Sequence, residues 1–151
     1  MIFILFIFSH LVVYNEALFY QSNLIYKEKN MDINFSKEDI AFRDEVRDWL
    51  ANDYPKHVKE KTDAGITISK EDLIDFHKAL SKKGWMGYNW PVEYGGTGWS
   101  ASKLYIFNKE LGLAGCPPIL PFGVGMVGPV IYTFGNDEQK ERFLPDILNF
   151  N

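Results

Sequence analysis

The stretch Pro121-Phe122-Gly123-Val124-Gly125-Met126-Val127-Gly128-Pro129 spells G-x-G-x-x-G, the letters of the dinucleotide-binding fingerprint. Two fold classes compete for it. In an α/β nucleotide-binding unit, a strand runs into a tight glycine turn and then into a helix whose free N–H groups hold a pyrophosphate. In an all-helical domain, the same glycines let helices approach closely. The flanking residues decide between them. Pro117, Pro118 and Pro121 precede the glycines, and without amide donors they make a central parallel strand improbable. Pro129 comes directly after Gly128, where a phosphate-receiving helix should be continuing. Asp146 falls near the acidic position of the fingerprint, yet "KERFLPD" at 140–146 has no strand character. The stretch therefore reads as a close-packed helical surface to which Val124, Met126 and Val127 supply apolar contacts. Such a wall leaves room for a long, slim ligand. A nicotinamide-binding fragment using Gly123 to Gly128 is the rival reading, and it requires a strand over 117–122.

Working outward, helical signals recur on both sides. Val124, Val127 and Ile131 stand at helical spacing in a segment from Phe122 to Phe134, closed by Gly135. Asn136 with Gln139 makes a capping-box pattern, opening a short helix with Phe143 and Leu144 that is expected to end at Pro145. Upstream, Ser100 caps a helix with Leu104, Phe107 and Leu111 in phase, and Gly112 and Gly115 close it. Ser69 with Asp72, flanked by Ile68 and Leu73, starts another helix carrying Leu73, Phe76 and Leu80 inward. Lys82-Lys83-Gly84 ends that helix with cations against the dipole and a glycine for the left-handed turn. Ser36 with Asp39, flanked by Phe35 and Ile40, opens a helix whose inward face is Phe42, Val46, Trp49 and Leu50 and which stops near Pro55. Between the helices lies "GWMGYNWPVEYGGTGWS" (84–100), a loop expected to pack against the domain because exposing Trp85 and Trp90 would waste apolar area. No convincing period-two segment and no internal repeat appear. The expected fold is all-α, an antiparallel helical bundle domain with a long aromatic, glycine-rich loop.

The bulk numbers fit one such domain. A chain of 151 residues with 46% hydrophobic and 24% charged content can bury one real core, and 16% aromatics predict ring packing inside it. Twenty acidic against sixteen basic residues give a net charge of −4 with no long basic run, which argues against nucleic acid as a partner. Cys116 is the only cysteine, so an internal disulfide and a cysteine-cluster zinc site are excluded; it reads as small apolar filler beside Gly115 and Pro117. His10, His57 and His77 have no metal-ligand spacing, and surface or packing roles are the default for each.

Residues 1–30 differ in character from the rest of the chain. The apolar run from Ile2 to Phe8, extended through Leu11, Val12 and Val13, is shorter than the ~18–20 residues that span a bilayer. A signal peptide would bring a basic n-region and a small-residue cleavage site, and neither is present; a mitochondrial targeting helix needs arginine, and the first is Arg43. We expect an extension outside the fold, with the biological start at Met31 and the domain over 31–151. A signal or membrane anchor is the alternative.

From about Met31 to Leu148 the chain resembles the N-terminal helical domain of acyl-CoA dehydrogenases. The matching blocks are Gly84-Trp85, "WPVEYGGTG" at 90–98, "KELGLAGCP" at 109–117 and "FGNDEQKERFLPDIL" at 134–148, in that order and at those intervals. The start "MDINFSKEDIAFRDEV" and "PFGVGMVGPV" look most like bacterial large-subunit members, such as those acting on pimeloyl-CoA or steroid side chains.

The resemblance implies a chemistry. In that family a glutamate removes the α-proton of an acyl thioester while the β-hydride passes to N5 of FAD, giving a trans-2-enoyl-CoA, and the electrons go on to an electron-transfer flavoprotein. The α-proton is only weakly acidic until the thioester oxygen is hydrogen-bonded beside the flavin. Base, thioester donors and most FAD contacts belong to the family's later domains, so the resemblance implies no catalytic, cofactor or metal residue within these 151 positions. The chain ends in Asn149-Phe150-Asn151 where the family continues into its flavin-site segment, and a fragment, inactive and without FAD when alone, is expected. The functional stretch carried over is the acyl-pocket wall, on Leu120, Phe122, Val124 and Met126. A cytoplasmic, homo- or hetero-oligomeric enzyme is implied.

Other residues keep plainer readings. Trp85, Trp90, Pro91, Tyr94 and Gly95-Gly96 fix the loop and fill the core. Glu110 reads as a solvated or salt-bridged group rather than a base, and Gln139, Lys140 and Arg142 as cap and surface charges. A helical interaction module is the remaining alternative function.

Overall fold

The computed structural model describes residues 35–151. The expected extension over 1–30 and the expected start at Met31 lie outside the described residues. Helices α1 (Lys37–Asn52), α2 (Lys56–Asp63), α3 (Lys70–Lys83), α4 (Ala101–Leu113), α5 (Gly128–Phe134) and α6 (Asp137–Asn149) are joined by a 3-10 turn at Val92–Tyr94 and a π-helical turn at Phe122–Val127. Among the described residues there is no strand, so the all-α expectation holds.

Three helix starts are fixed by reciprocal side-chain caps, each satisfying orphan amides on both sides. Ser36 pairs with Asp39, Ser69 with Asp72, and Asn136 with Gln139. Gly84, at φ 79°, supplies the left-handed residue that ends α3 and delivers Trp85 into the core.

The core is built largely of rings. Trp85 meets Trp49 at 5.4 Å between centroids, Phe107 at 5.7 Å and Trp99 at 5.8 Å, while Phe42 sits edge-on to Trp99 at 4.7 Å. Helices α1 and α4 pack together through this cluster. They are also clamped by a forked ion pair, Arg47 Nε to Glu110 Oε2 at 2.8 Å and Nη2 to Oε1 at 3.0 Å. Glu110 is thus salt-bridged as expected but not solvated: it is 6% exposed.

Three local expectations need correction. Residues 56–63 form a helix that the pattern around Pro55 did not announce; Pro55 is its N-cap, where a missing N–H costs nothing, and Val58 buries its inner face. Helix α6 does not end at Pro145 but runs through it to Asn149. Packing overrides the lost hydrogen bond: Leu144 is buried, Ile147 faces Gly123, and Leu148 presses on Gly87 and Gly95, where a Cβ would come within 2.8 Å and 2.7 Å of its methyls. The segment 122–134 is not one regular helix but a π-turn that leads into α5.

Candidate functional site

The wall segment begins in irregular backbone over 116–120. A strand entering the glycine cluster, the requirement of the nicotinamide reading, is not what the chain forms there. Leu120 is half-buried and lines a cleft of about 420 Å³ with Lys70, Leu73, Ile74, Lys78 and Phe150. Its amide is held from beneath: Leu120 N–H donates to His77 Nε2 at 2.9 Å. Since Nε2 accepts, the proton sits on Nδ1, which donates to the Leu73 carbonyl at 2.6 Å. The imidazole is fully buried, with Phe150 stacked on it at 4.3 Å and Phe76 edge-on at 5.3 Å. Burial depresses its pKa, keeping it neutral.

The neighbouring turn explains the glycines. Gly128 N–H donates to the carbonyl of Gly123, five residues back, instead of Val124, four back. In continued π-bonding the Val124 carbonyl would receive an amide from residue 129, which is proline and has none. The indole of Trp90 is the donor instead, from Nε1 to Val124 O at 2.6 Å. Gly128 lies flat against that indole, and a Cβ there would stand 2.0 Å from Trp90 Cζ2. The third glycine of the apparent fingerprint thus makes room for a tryptophan, and no anion can occupy the same place. Around the indole, Tyr132 packs edge-on at 5.5 Å and Tyr94 stacks on Tyr132 at 5.0 Å.

The four predicted wall residues do not share one cavity. Val124 is buried at 1% exposure and belongs to the core, whereas Phe122 and Met126 face outward at 68% and 57%. The expectation that Met126 and Val127 supply internal contacts is corrected, because the wide turn leaves both exposed. With Val130 and Phe134, 83% exposed, they continue Phe122 and Met126 into an apolar stripe along the π-turn and α5. Contiguous exposed apolar side chains of this kind are candidates for an interaction surface.

Other titratable groups are already engaged. Asp72 is buried, caps α3 and accepts both hydrogen bonds of Lys61, at 2.7 and 2.8 Å; the Lys61 ammonium, then the Ser69 amide, hold its carboxyl down at about 2. Cys116 packs against the core, and burial pushes its thiol up to about 11, out of nucleophile range. Lys140 lies over the Tyr94 ring at 5.4 Å and Arg142 over Phe143 at 5.0 Å, so both stay surface charges. Among the described residues no group of three His, Cys, Asp or Glu side chains is placed to hold a metal. None of the described helices is long and apolar enough to cross a membrane.

Sequence reasoning did not single out His77 as an anchor of the wall. Its partner amide is 43 residues away, and no local pattern signals that distance.

The helical domain is that of a known class of protein. The acyl-CoA dehydrogenase N-terminal domain matches residues 36–151, and the chain belongs to that family. It is 45% identical over 124 residues to the acyl-CoA dehydrogenase FadE26 of Mycobacterium tuberculosis, covering 78% of this chain and 30% of that protein. It is 33% identical to the acyl-CoA dehydrogenase IpdE1 of Mycolicibacterium smegmatis, covering 72% and 29%. Among solved structures, the ChsE4-ChsE5 complex from M. tuberculosis matches at a TM-score of 0.64 and 31% identity over 79% of this chain and 29% of that one. The Tcur3481-Tcur3483 steroid ACAD matches at 0.63 and 36% over 79% and 30%. The chain therefore spans about 30% of the length of the curated relative FadE26.

The family uses FAD, and the described residues do not fit that group. Its phosphates would need free amides, and in the glycine cluster Gly128 gives its space to Trp90 while Gly123 faces Ile147. The one buried side-chain polar atom without a partner among the described residues, Tyr54 Oη, belongs to a ring packed on Trp49 and Phe76 and does not face an open cleft.

Proposed function

We propose that this chain is the N-terminal domain of an acyl-CoA dehydrogenase that converts acyl-CoA to trans-2-enoyl-CoA, and that its own contribution is one wall of the acyl pocket. The observation that carries this reading is the exposed stripe of Phe122, Met126 and Val130 on a turn held rigidly from behind. An apolar wall excludes water and orients the acyl chain. Each methylene it buries is worth about 0.8 kcal/mol, so it discriminates chain length more than it accelerates the reaction. Base, flavin site and thioester donors belong, on this reading, to segments that the longer relatives carry beyond the matched third. Electron-transfer flavoprotein would take the electrons, in a cytoplasmic enzyme. Oligomerisation, homo- or heteromeric, is supported by the likeness to a two-component complex.

The experiment is an NMR titration of the 151-residue chain with octanoyl-CoA and, separately, with free CoA. The Met126 methyl and Phe122 ring signals are expected to move with octanoyl-CoA and not with CoA, while the chain alone forms no enoyl-CoA with an artificial electron acceptor. Equal responses to both ligands, or turnover by the chain alone, would overturn the reading.

A further inference from the structure

Most π-turns inside helices have an identifiable cause, and here the cause lies outside the helix. Three backbone facts interlock. Gly128 N–H bonds to Gly123 O, Pro129 has no N–H to give, and the Val124 carbonyl receives the Trp90 indole N–H. If the turn tightened to ordinary α-bonding, Gly128 N–H would take Val124 O. Turning that carbonyl onto the helix axis would draw it away from the buried indole N–H, now 2.6 Å from it, and a buried donor left unsatisfied carries its full desolvation cost. The register also fixes direction: taking one residue out of the turn rotates the residues before it by roughly 100° relative to those after it. Phe122 and Met126 would leave the stripe that Val130 and Phe134 continue.

We propose that Trp90 is a positioning residue that holds residues 122–127 in the wide register and thereby decides which side chains the wall presents to an acyl chain. The proposal rests on the acyl-wall reading above. Trp90 reaches no acyl group itself: it is 2% exposed and acts through the Val124 carbonyl. Its partner in this role is Pro129, whose missing amide leaves that carbonyl for the indole.

The test replaces the Trp90 side chain in the 151-residue chain by benzothienylalanine, which keeps the ring's shape and lacks the N–H. Packing against Gly128 and Tyr132 is thereby retained. The Gly128 amide signal is expected to shift as it changes partner, and the affinity reported by the Met126 methyl for octanoyl-CoA to fall about tenfold. Adding Pro129→Ala should restore most of both, because residue 129 then offers Val124 O the amide that the wide register needs. A merely structural role for the ring predicts no such rescue. Retained affinity after loss of the indole N–H, or a loss that Pro129→Ala leaves unrepaired, overturns the positioning role. A wild-type chain whose Met126 ignores octanoyl-CoA overturns instead the acyl-wall reading, and the specificity assignment with it.

Discussion

Gly128 and Gly125 stand three residues apart in the same apparent fingerprint, and their surroundings are unlike. A Cβ at 128 would meet Trp90 Cζ2 at 2.0 Å, in a ring fixed by its own hydrogen bond, whereas a Cβ at 125 would meet Pro121 Cβ at an ordinary 3.5 Å. Gly128→Ala is therefore expected to destabilise the domain by about 1–3 kcal/mol through overpacking. Gly125→Ala should be neutral or stabilising by up to about 1 kcal/mol, as alanine loses less entropy in a helical turn. Urea unfolding of the two variants measures the difference. A phosphate-binding loop would respond in another way, since its early glycines are the ones that admit the ligand. The letters of this stretch are legible in the sequence; which glycine matters is not, because Trp90 lies 38 positions before Gly128 and its indole finds Val124 only in the fold.

At the scale of the element, α6 shows propensity yielding to packing. Pro145 lies inside the helix, where it removes an N–H and crowds the preceding turn. The sequence-based expectation of a stop there used that rule correctly. What it lacked was the binding partner of the last turn, for Leu148 inserts between Gly87 and Gly95 of the aromatic loop and Ile147 faces Gly123. These contacts join segments distant in the chain and carry the helix past its breaker. Pro145 is exposed. Pro145→Ala is accordingly expected to raise stability by about 1–3 kcal/mol by restoring an intrahelical bond, read as a higher urea midpoint at an unchanged slope. A fall in stability would mean that the proline's kink is needed to seat Leu148. The caps of α1, α3 and α6 tell the opposite story. Each is set by residues within one turn, Ser36 with Asp39, Ser69 with Asp72 and Asn136 with Gln139, so short-range reading found all three.

Across the described residues, two buried groups, His77 and Asp72, have pKa values shifted so that folding responds to acid. His77 is neutral in the fold because burial lowers its pKa from 6.5, and the groups in contact with it are the Phe76 and Phe150 rings, the Leu73 carbonyl and the Leu120 amide. The unfolded chain gains that proton first, so this contribution is complete above about pH 6.5 and declines as the pH falls below it. Asp72 has the later window. Its carboxyl is lowered from 3.8 to about 2, so its contribution is present above about pH 4 and is lost as pH falls through about 2. Unfolding free energy measured against pH is expected to drop in those two stages. His77→Gln should lower stability throughout yet abolish the first stage, and a first stage that survives in that variant would contradict the assignment.

The sequence by itself determined the side-chain-capped helix starts at Ser36, Ser69, Ser100 and Asn136, the ring-rich core and the rejection of a nucleotide-binding turn, since caps, helical periodicity and prolines act within a few residues of where they stand. It also carried the family, through ordered blocks whose spacing survives without any knowledge of contacts. Only the tertiary structure decided which face of the π-turn at 122–127 looks outward. That outcome depends on an indole, a carbonyl and an imidazole meeting across 34 and 43 residues of chain, and hydrogen bonds of such range leave no periodic trace in the sequence.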